Sequence, residues 1–377
     1  MSGIYIHIPF CRHKCNYCNF YSLASTRYLD KITNAINAEL LQRKDYLGTQ
    51  QVETIYFGGG TPSMLGISDI ESIIKTIYST FVVATDAEIT LEANPDDLSP
   101  EKLRELKKSG INRLSIGIQS FREEDLVFLS RTHSAKQVIT CVSDAQRVGF
   151  NNLSIDLIYG IPTLTNEGWK ENLETAFSLE VSHISAYSLT VEEKTPLEEM
   201  IRKGKMKPVD EDLSLAHYKT LTSLMHIHGY EQYEVSNFCL PGAYSRHNTA
   251  YWQGKHYLGV GPSAHSYNGT SRSWNVANLL KYIESVNLGK VESEHEILNL
   301  TTLFNEFIMT SLRTIWGCDL NTVKQKFGSE NAENLLLNSL PFIDAKQMSY
   351  SNGKLVLTPE GRLFTDGISA SLFEEEA

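Results

Sequence analysis

The sequence lacks long apolar runs and has no excess of positive charge. No apolar run reaches the roughly 18 residues that a membrane-spanning helix needs, so we expect no transmembrane segment and at most a transient membrane contact. The formal net charge is −11, which argues against broad binding to nucleic acid or anionic lipid. The apolar start of the chain is broken at His7, so we expect no signal peptide.

Cysteine is scarce outside one short stretch. Three of the six cysteines, Cys141, Cys239 and Cys318, lie far apart in the sequence and suggest no disulfide framework. A reducing cytoplasm suits such a chain, and we predict a cytoplasmic location. The other three fall within eight residues, spaced C-x3-C-x2-C, and are Cys11, Cys15 and Cys18.

This motif directly follows a predicted strand at residues 4–8, which Pro9 ends. Three thiolates on one tight loop can bind three irons of a [4Fe-4S] cluster. The position two after Cys18 is Phe20 rather than a fourth cysteine, so one iron would be open to another ligand. A structural zinc site that adds His7 or His13 is the alternative, although no second cysteine pair follows.

Six alternations of strand and helix follow one another over residues 1–190. They predict a parallel sheet with right-handed crossovers. Six units fall short of a closed eight-stranded barrel, so we expect a partly open (β/α)6 barrel of the α/β class. The strands are predicted at residues 4–8, 54–57, 88–92, 114–118, 153–157 and 183–189, and the helices at 26–46, 68–80, 99–110, 123–129, 135–148 and 166–179.

Polar groups recur where these strands end. Consecutive glycines let backbone groups approach a ligand closely, carboxylates accept hydrogen bonds from ribose hydroxyls or an ammonium, and arginine neutralises a carboxylate. Each residue alone is also compatible with a turn or a solvated side chain, but strand ends in a barrel converge on one site. The positions at the strand ends are the cysteine loop, residues 58–61, Glu92, Gln119 and Asp156, and the arginine is Arg131 at a predicted helix end.

The cysteine motif resembles the signature of the radical S-adenosylmethionine (SAM) enzymes. The motifs IHIPFC, GGGTP, LEANP, SIGIQSF, LSRTH and SIDLIYGIP resemble the oxygen-independent coproporphyrinogen III oxidase group more specifically. The resemblance implies that the open iron binds SAM, which the reduced cluster cleaves to a 5′-deoxyadenosyl radical. It also implies a SAM site made by Tyr5, Tyr17, Gly59, Gly60, Thr61, Glu92, Gln119, Arg131, Asp156 and Thr190.

Two features resemble the haem chaperone branch of this group. Phe20 stands where the oxidases carry a fourth cysteine, and the segment from His247 to Trp252 reads H-N-x-x-Y-W. The resemblance implies that haem is bound and passed to acceptor haem proteins, with His247 contributing to the haem site. His265 is a second ligand candidate. A packed aromatic turn with a hydrogen-bonded histidine is the alternative for His247, and a core histidine is the alternative for His265.

Two other functions remain open at this point: coproporphyrinogen oxidation, and radical chemistry on another tetrapyrrole. Beyond the barrel we predict a middle segment at residues 191–299 and a small winged-helix-like domain at residues 300–377. The acidic residues of this last domain argue against DNA binding, so we interpret it as a cover or a docking surface for a partner.

Overall fold

The computed structural model describes residues 2–375. It contains a twelve-stranded sheet flanked by helices and a separate three-stranded sheet near the C-terminus. Within the described residues, no helix combines the length and the apolar character that crossing a membrane would take.

The centre of the large sheet consists of the six predicted βα units, which are confirmed. The six strands pair in parallel and in chain order. The strands are β1 (Ser2–Ile8), β2 (Val52–Gly59), β3 (Val83–Ala93), β4 (Arg113–Gln119), β5 (Asn152–Tyr159) and β6 (His183–Ser188). The helices between them are α1 (Leu29–Gln42), α2 (Ile67–Thr80), α3 (Pro100–Lys108), α4 (Glu123–Phe128), α5 (Ala135–Val148) and α6 (Asn166–Ser178).

Local sequence explains where these elements form. Strand β1 is buried at nearly every position, as expected for a parallel strand with both faces covered. Helix α3 begins as predicted, because the Ser99 hydroxyl accepts a hydrogen bond from the Lys102 amide and Pro100 occupies the first turn. Helix α5 begins with a capping box between Ser134 and Gln137.

The middle of the chain extends the sheet at both edges. Two short strands, β7 (Glu231–Gln232) and β8 (Asn237–Cys239), follow β6, and β9 (His256–Val260) pairs in parallel with β1. The remaining strands and helices of this part are β10 (His265–Tyr267), β11 (Ser271–Asn275), β12 (Ser293–Ile297), α7 (Pro196–Arg202), α8 (Glu211–Ile227), α9 (Arg246–Trp252) and α10 (Leu279–Asn287). The strand order is β12-β11-β10-β9-β1-β2-β3-β4-β5-β6-β8-β7, so the sheet is not closed.

The C-terminal part has its own apolar core, which includes Phe304, Ile308 and Leu335. The predicted two-stranded wing is present, and a third strand joins it. The helix predicted near Leu335 is longer than expected, because it begins directly after Gly328. The elements are α11 (Leu300–Leu312), β13 (Cys318–Asp319), α12 (Leu320–Phe327), α13 (Ser329–Asp344), β14 (Met348–Ser351), β15 (Lys354–Leu357), α14 (Pro359–Arg362) and α15 (Thr365–Ser371). The three domain limits given above stay a prediction; the first residue of the first domain and the last two residues of the third lie outside the described part.

A buried carboxylate ties the barrel to the middle of the chain. Glu39 of α1 is fully buried and ion-paired with Arg43 at 3.2 Å. Its oxygens also accept hydrogen bonds from the Gly261 amide at 2.9 Å, the Asn275 side chain at 2.8 Å and the Tyr282 hydroxyl at 2.6 Å. These bonds link α1 to the residue directly after β9, to β11 and to α10, so the position of the outer strands depends on them.

We predict that Glu39→Ala lowers the free energy of unfolding by about 3–5 kcal/mol, because it removes the carboxylate that pairs with the largely buried Arg43 and leaves three buried donors without their acceptor. Urea unfolding followed by circular dichroism measures this change. The control is Glu71→Ala on the exposed face of α2, which should leave the unfolding curve nearly unchanged. Equal unfolding curves for the two variants would contradict the assignment.

Candidate functional site

The cysteine loop begins where β1 ends. The Cys11 amide donates to the Leu23 carbonyl at 3.0 Å, and the Leu23 amide donates to the Pro9 carbonyl at 2.7 Å, which closes the base of the loop. The Asn16 side chain donates to the Phe128 carbonyl at 2.6 Å and anchors the far side. All three cysteines of the motif are free and partly exposed. The loop is therefore held firmly while its thiols stay accessible.

A cavity of about 450 Å³ lies at the C-terminal ends of the barrel strands, beside this loop. Twelve of the fourteen predicted site residues line it. They are Cys11, Cys15, Tyr17, Cys18, Gly59, Gly60, Thr61, Glu92, Gln119, Arg131, Asp156 and Thr190. The two that do not are Tyr5 and His247. The fold thus brings together residues that lie up to 179 positions apart in the sequence, between Cys11 and Thr190.

The geometry gives no support to a single zinc ion. Both ring nitrogens of His7 are engaged, one with the Tyr5 hydroxyl at 3.0 Å and one with the Tyr21 carbonyl at 2.9 Å. Among residues 2–375, no three His, Cys, Asp or Glu side chains are grouped around a single ion position. In a cubane cluster each thiolate binds a different iron, so its ligands do not have to converge on one point.

The glycine stretch brings backbone close to the cysteine loop. Gly59 has a φ of +111°, which other residues rarely adopt. A Cβ on Gly60 would lie 2.5 Å from the Phe10 carbonyl oxygen. Only glycine fits at these two positions, and it leaves a smooth wall against which a ligand can lie.

Two carboxylates line the inner wall. Glu92 accepts hydrogen bonds from the Tyr56 hydroxyl at 2.8 Å and the Gly59 amide at 3.2 Å. Burial raises the pKa of Glu92 to about 7, and it raises the pKa of Asp156 to about 6. Both groups are poorly solvated in the cavity, so a ligand that brings hydrogen-bond donors or positive charge would stabilise their ionised forms.

Arg131 lines the same cavity as these carboxylates and lies beside the cysteine loop. Its Nη2 donates to the Asn94 side chain at 2.7 Å and to the Gly117 carbonyl at 2.6 Å, while Nη1 lies 3.4 Å from the Cys15 sulfur. Gln119, at the end of β4, has a φ of +67°. A left-handed backbone at a residue other than glycine costs energy and is common at functional sites.

Tyr5 and His247 line a second, smaller cavity of about 230 Å³ inside the barrel, which shares Glu92 and Asp156 with the first. His247 is buried. Its Nδ1 is 2.7 Å from the Thr54 hydroxyl, and its Nε2 is 3.0 Å from the Tyr251 hydroxyl. Burial lowers the pKa of His247 to about 3, so the ring is neutral.

This geometry matches the alternative considered for His247, a packed aromatic turn with a hydrogen-bonded histidine. The ring stacks on Tyr56 at 4.9 Å between centroids. A bond from its nitrogen to haem iron would require one of the two hydrogen bonds to break. The ligand role of His247 therefore stays a prediction from the sequence.

Sequence reasoning missed Arg113, which is almost fully buried and lines the smaller cavity. Its Nε has no hydrogen-bond partner among the described residues. An arginine at the start of a strand is usually expected to be solvated. No local sequence pattern indicates that the side chain of Arg113 is buried. Asn94 was also missed as a site residue, although it lies within the LEANP motif.

Comparison with known proteins places this geometry in a family. The chain is 34% identical to "Heme chaperone HemW" of Bacillus subtilis (strain 168), and the match covers 100% of both chains. The chain belongs to the HemW family. A HemW of Mycobacterium tuberculosis (strain H37Rv) is 33% identical over 98% of this chain and 94% of its own length.

Two family models and one solved structure agree with this placement. Residues 5–176 match the radical SAM superfamily, and residues 298–364 match the HemN C-terminal domain. Coproporphyrinogen III oxidase (HemN) from Escherichia coli has a similar fold, with a TM-score of 0.85 and 23% identity over 99% of this chain and 90% of that one. A radical SAM domain implies a [4Fe-4S] cluster and SAM, and the cavity described above offers suitable groups for both.

We predict that the free energy of unfolding of Glu92→Gln rises relative to that of the wild type as pH increases from about 5 to 7. The pKa of Glu92 is raised to about 7 in the folded protein, so the wild type loses stability over this range while the neutral amide does not. The difference should be on the order of 1–3 kcal/mol. Urea unfolding of cluster-free protein at pH 5, 6, 7 and 8 measures it. Glu71→Gln, on the protein surface, should give a pH profile parallel to that of the wild type. A parallel profile for Glu92→Gln would show that the carboxyl is not perturbed.

Proposed function

We propose that this protein is a haem chaperone, which binds haem and transfers it to acceptor haem proteins, on a core that holds a [4Fe-4S] cluster and SAM. The observation that carries this proposal is the match to "Heme chaperone HemW" of Bacillus subtilis along the whole chain. The free thiols suit a reducing cytoplasm, which is the location we propose.

The residues of the cavity beside the cysteine loop have separable roles in this proposal. Cys11, Cys15 and Cys18 hold three irons of the cluster, and the missing fourth thiol leaves one iron for SAM. In the radical SAM family the bound pair supplies a means of generating a radical.

The groups around SAM come from the ends of separate strands and from the loop after α4. The backbone of residues 59–61 lies against the ligand, and Arg131 binds its carboxylate. Glu92 and Asp156 accept hydrogen bonds from its ammonium and ribose hydroxyls. Tyr5, Tyr17, Gln119 and Thr190 complete the predicted set.

Coproporphyrinogen oxidation is the less favoured function. The likeness to HemN supports the fold alone, since the identity is 23%. Phe20 occupies the position where the oxidases carry a fourth cysteine. Its side chain is 65% exposed and lines the cluster cavity. An apolar side chain there offers no ligand to a metal and no group for acid–base chemistry.

We predict that Asp156→Ala weakens SAM binding by about 10- to 100-fold, because hydrogen bonds to a charged group contribute about 1.5–3 kcal/mol. Equilibrium dialysis against anaerobically reconstituted protein measures the affinity. Iron content should stay at about four per chain in this variant and in the surface control Asp45→Ala. Unchanged SAM affinity would remove Asp156 from the site. Stoichiometric zinc without iron would overturn the cluster.

The chaperone function predicts saturable binding of about one haem per chain and no turnover of coproporphyrinogen III. Both are measured on one sample purified without oxygen, by haem titration and by a decarboxylation assay with SAM and a reductant. Haem binding without turnover supports the chaperone. Multiple turnover without haem binding would establish the oxidase in its place.

A further inference from the structure

A third cavity lies outside the two cavities of the barrel and is larger than either of them. It has a volume of about 740 Å³ and opens between the β9–β11 strands, the end of α9 and helices α11 and α12 of the C-terminal part. Cavities of about 300–1,000 Å³ accommodate ligands of drug or cofactor size. The 230 Å³ cavity next to His247 falls below that range. A tetrapyrrole therefore fits the outer cavity better than the inner one.

Aromatic rings from two parts of the chain line this cavity. Tyr257 and Tyr267 come from the sheet, with centroids 6.2 Å apart. Phe307 and Phe327 come from the C-terminal helices, with centroids 5.8 Å apart. All four line the cavity, as does Trp252. Flat apolar walls from two directions suit a flat apolar macrocycle.

Two histidines line the cavity, and they differ in whether their ring nitrogens are hydrogen bonded within the described residues. His7 is buried, with both nitrogens hydrogen bonded. His265 is exposed, and its ring makes no hydrogen bond with any residue between 2 and 375. It stacks on Trp274 at 5.9 Å with an angle of 23° between the rings, which orients it. An imidazole nitrogen is a common ligand of haem iron.

The strand register directs His265 and its neighbours to one face. In the β10–β11 hairpin, His265 lies opposite Trp274 and Tyr267 lies opposite Arg272. Residues two apart on a strand share a face, as do residues directly opposite. His265, Tyr267 and Arg272 all line the cavity.

Positive charges surround the cavity as well. Arg272 is paired with Glu306 at 2.9 Å, so these two charges offset each other. Lys255 and Lys326 also line the cavity, and neither pairs with a carboxylate in the described part of the chain. The Lys326 ammonium lies 5.4 Å from the centre of the Phe307 ring, so the contact that it makes is with an aromatic face. Two lysines that no described carboxylate neutralises suit the two propionates of haem.

We propose that haem binds in this cavity, with His265 as a nitrogen ligand of the iron and Lys255 and Lys326 beside the propionates. The proposal rests on the haem chaperone function and names the site for it. Phe20 lines both this cavity and the cluster cavity, so the haem site would adjoin the cluster loop. In this arrangement His247 is a positioning residue, because it holds Tyr251, whose ring forms part of the wall.

The test is a titration of full-length, anaerobically reconstituted protein with ferric haem, followed by absorption spectroscopy. His265→Ala should remove the spectrum of imidazole-ligated iron and weaken haem binding by about tenfold or more. His295→Ala is the matched control, because it removes an exposed histidine from the neighbouring strand β12, outside the cavity. It should behave as the wild type. Iron content and SAM binding should not change in either variant, which shows that the fold is intact.

A second comparison tests the propionate contacts. A Lys255→Glu, Lys326→Glu double variant should bind haem severalfold more weakly with an unchanged spectrum, while its affinity for haem dimethyl ester should equal that of the wild type. An unaltered haem spectrum and affinity in His265→Ala would overturn the proposed ligand. Loss of the imidazole spectrum in His247→Ala alone would place the iron in the barrel instead. If the wild type binds no haem, the chaperone function itself fails.

Discussion

The parallel pairing of β1 on both sides determines where every site in this protein lies. Strand β1 pairs with β2 along one edge and with β9 along the other, so its end is fixed at the middle of a wide sheet. The cysteine loop begins at that end. One side of the loop faces the cluster cavity, and the other side faces the cavity that β9 and the hairpin after it help to form. A close approach of backbones makes this possible, since a Cβ on Gly261 would lie 2.5 Å from the His7 carbonyl oxygen.

The barrel interior holds charge that is poorly solvated. Glu92 and Asp156 on one side, and Arg113 and Arg131 on the other, come from different strands or loops, and the structure shows no direct ion pair among them within residues 2–375. Charges in a low-dielectric site interact strongly with a ligand that complements them, and they are costly when nothing does. This explains why the pKa values of both carboxyls rise. The interior is therefore better suited to a charged ligand such as SAM than to an apolar macrocycle.

Much of this fold was predictable from the sequence, because its signals are local. Strand β5 and helix α5 have the apolar periodicity and the caps that mark such elements, and residues at strand ends meet because parallel strands share an edge. The outer strands were not predictable, since β10 has only three residues and β9 is placed by pairing with a strand more than 240 positions earlier. The hydrogen bond from His247 to β2 was not predictable for the same reason. Its partner Thr54 lies 193 positions away, and nothing in the H-N-x-x-Y-W motif indicates that contact.

The H-N-x-x-Y-W motif acquires a physical role from this placement. It forms helix α9, which separates the inner cavity from the outer one. The wall is thin, because Tyr5 and Tyr251 line both cavities. His247 reaches from Thr54 of β2 to the Tyr251 hydroxyl, so the wall is fixed to the barrel through two hydrogen bonds. A ligand that presses on Tyr251 from the outside therefore acts on the same side chains that border Glu92 and Asp156. The histidine of the motif holds the partition between two sites, and its aromatic neighbours provide the surface on which a flat ligand can lie.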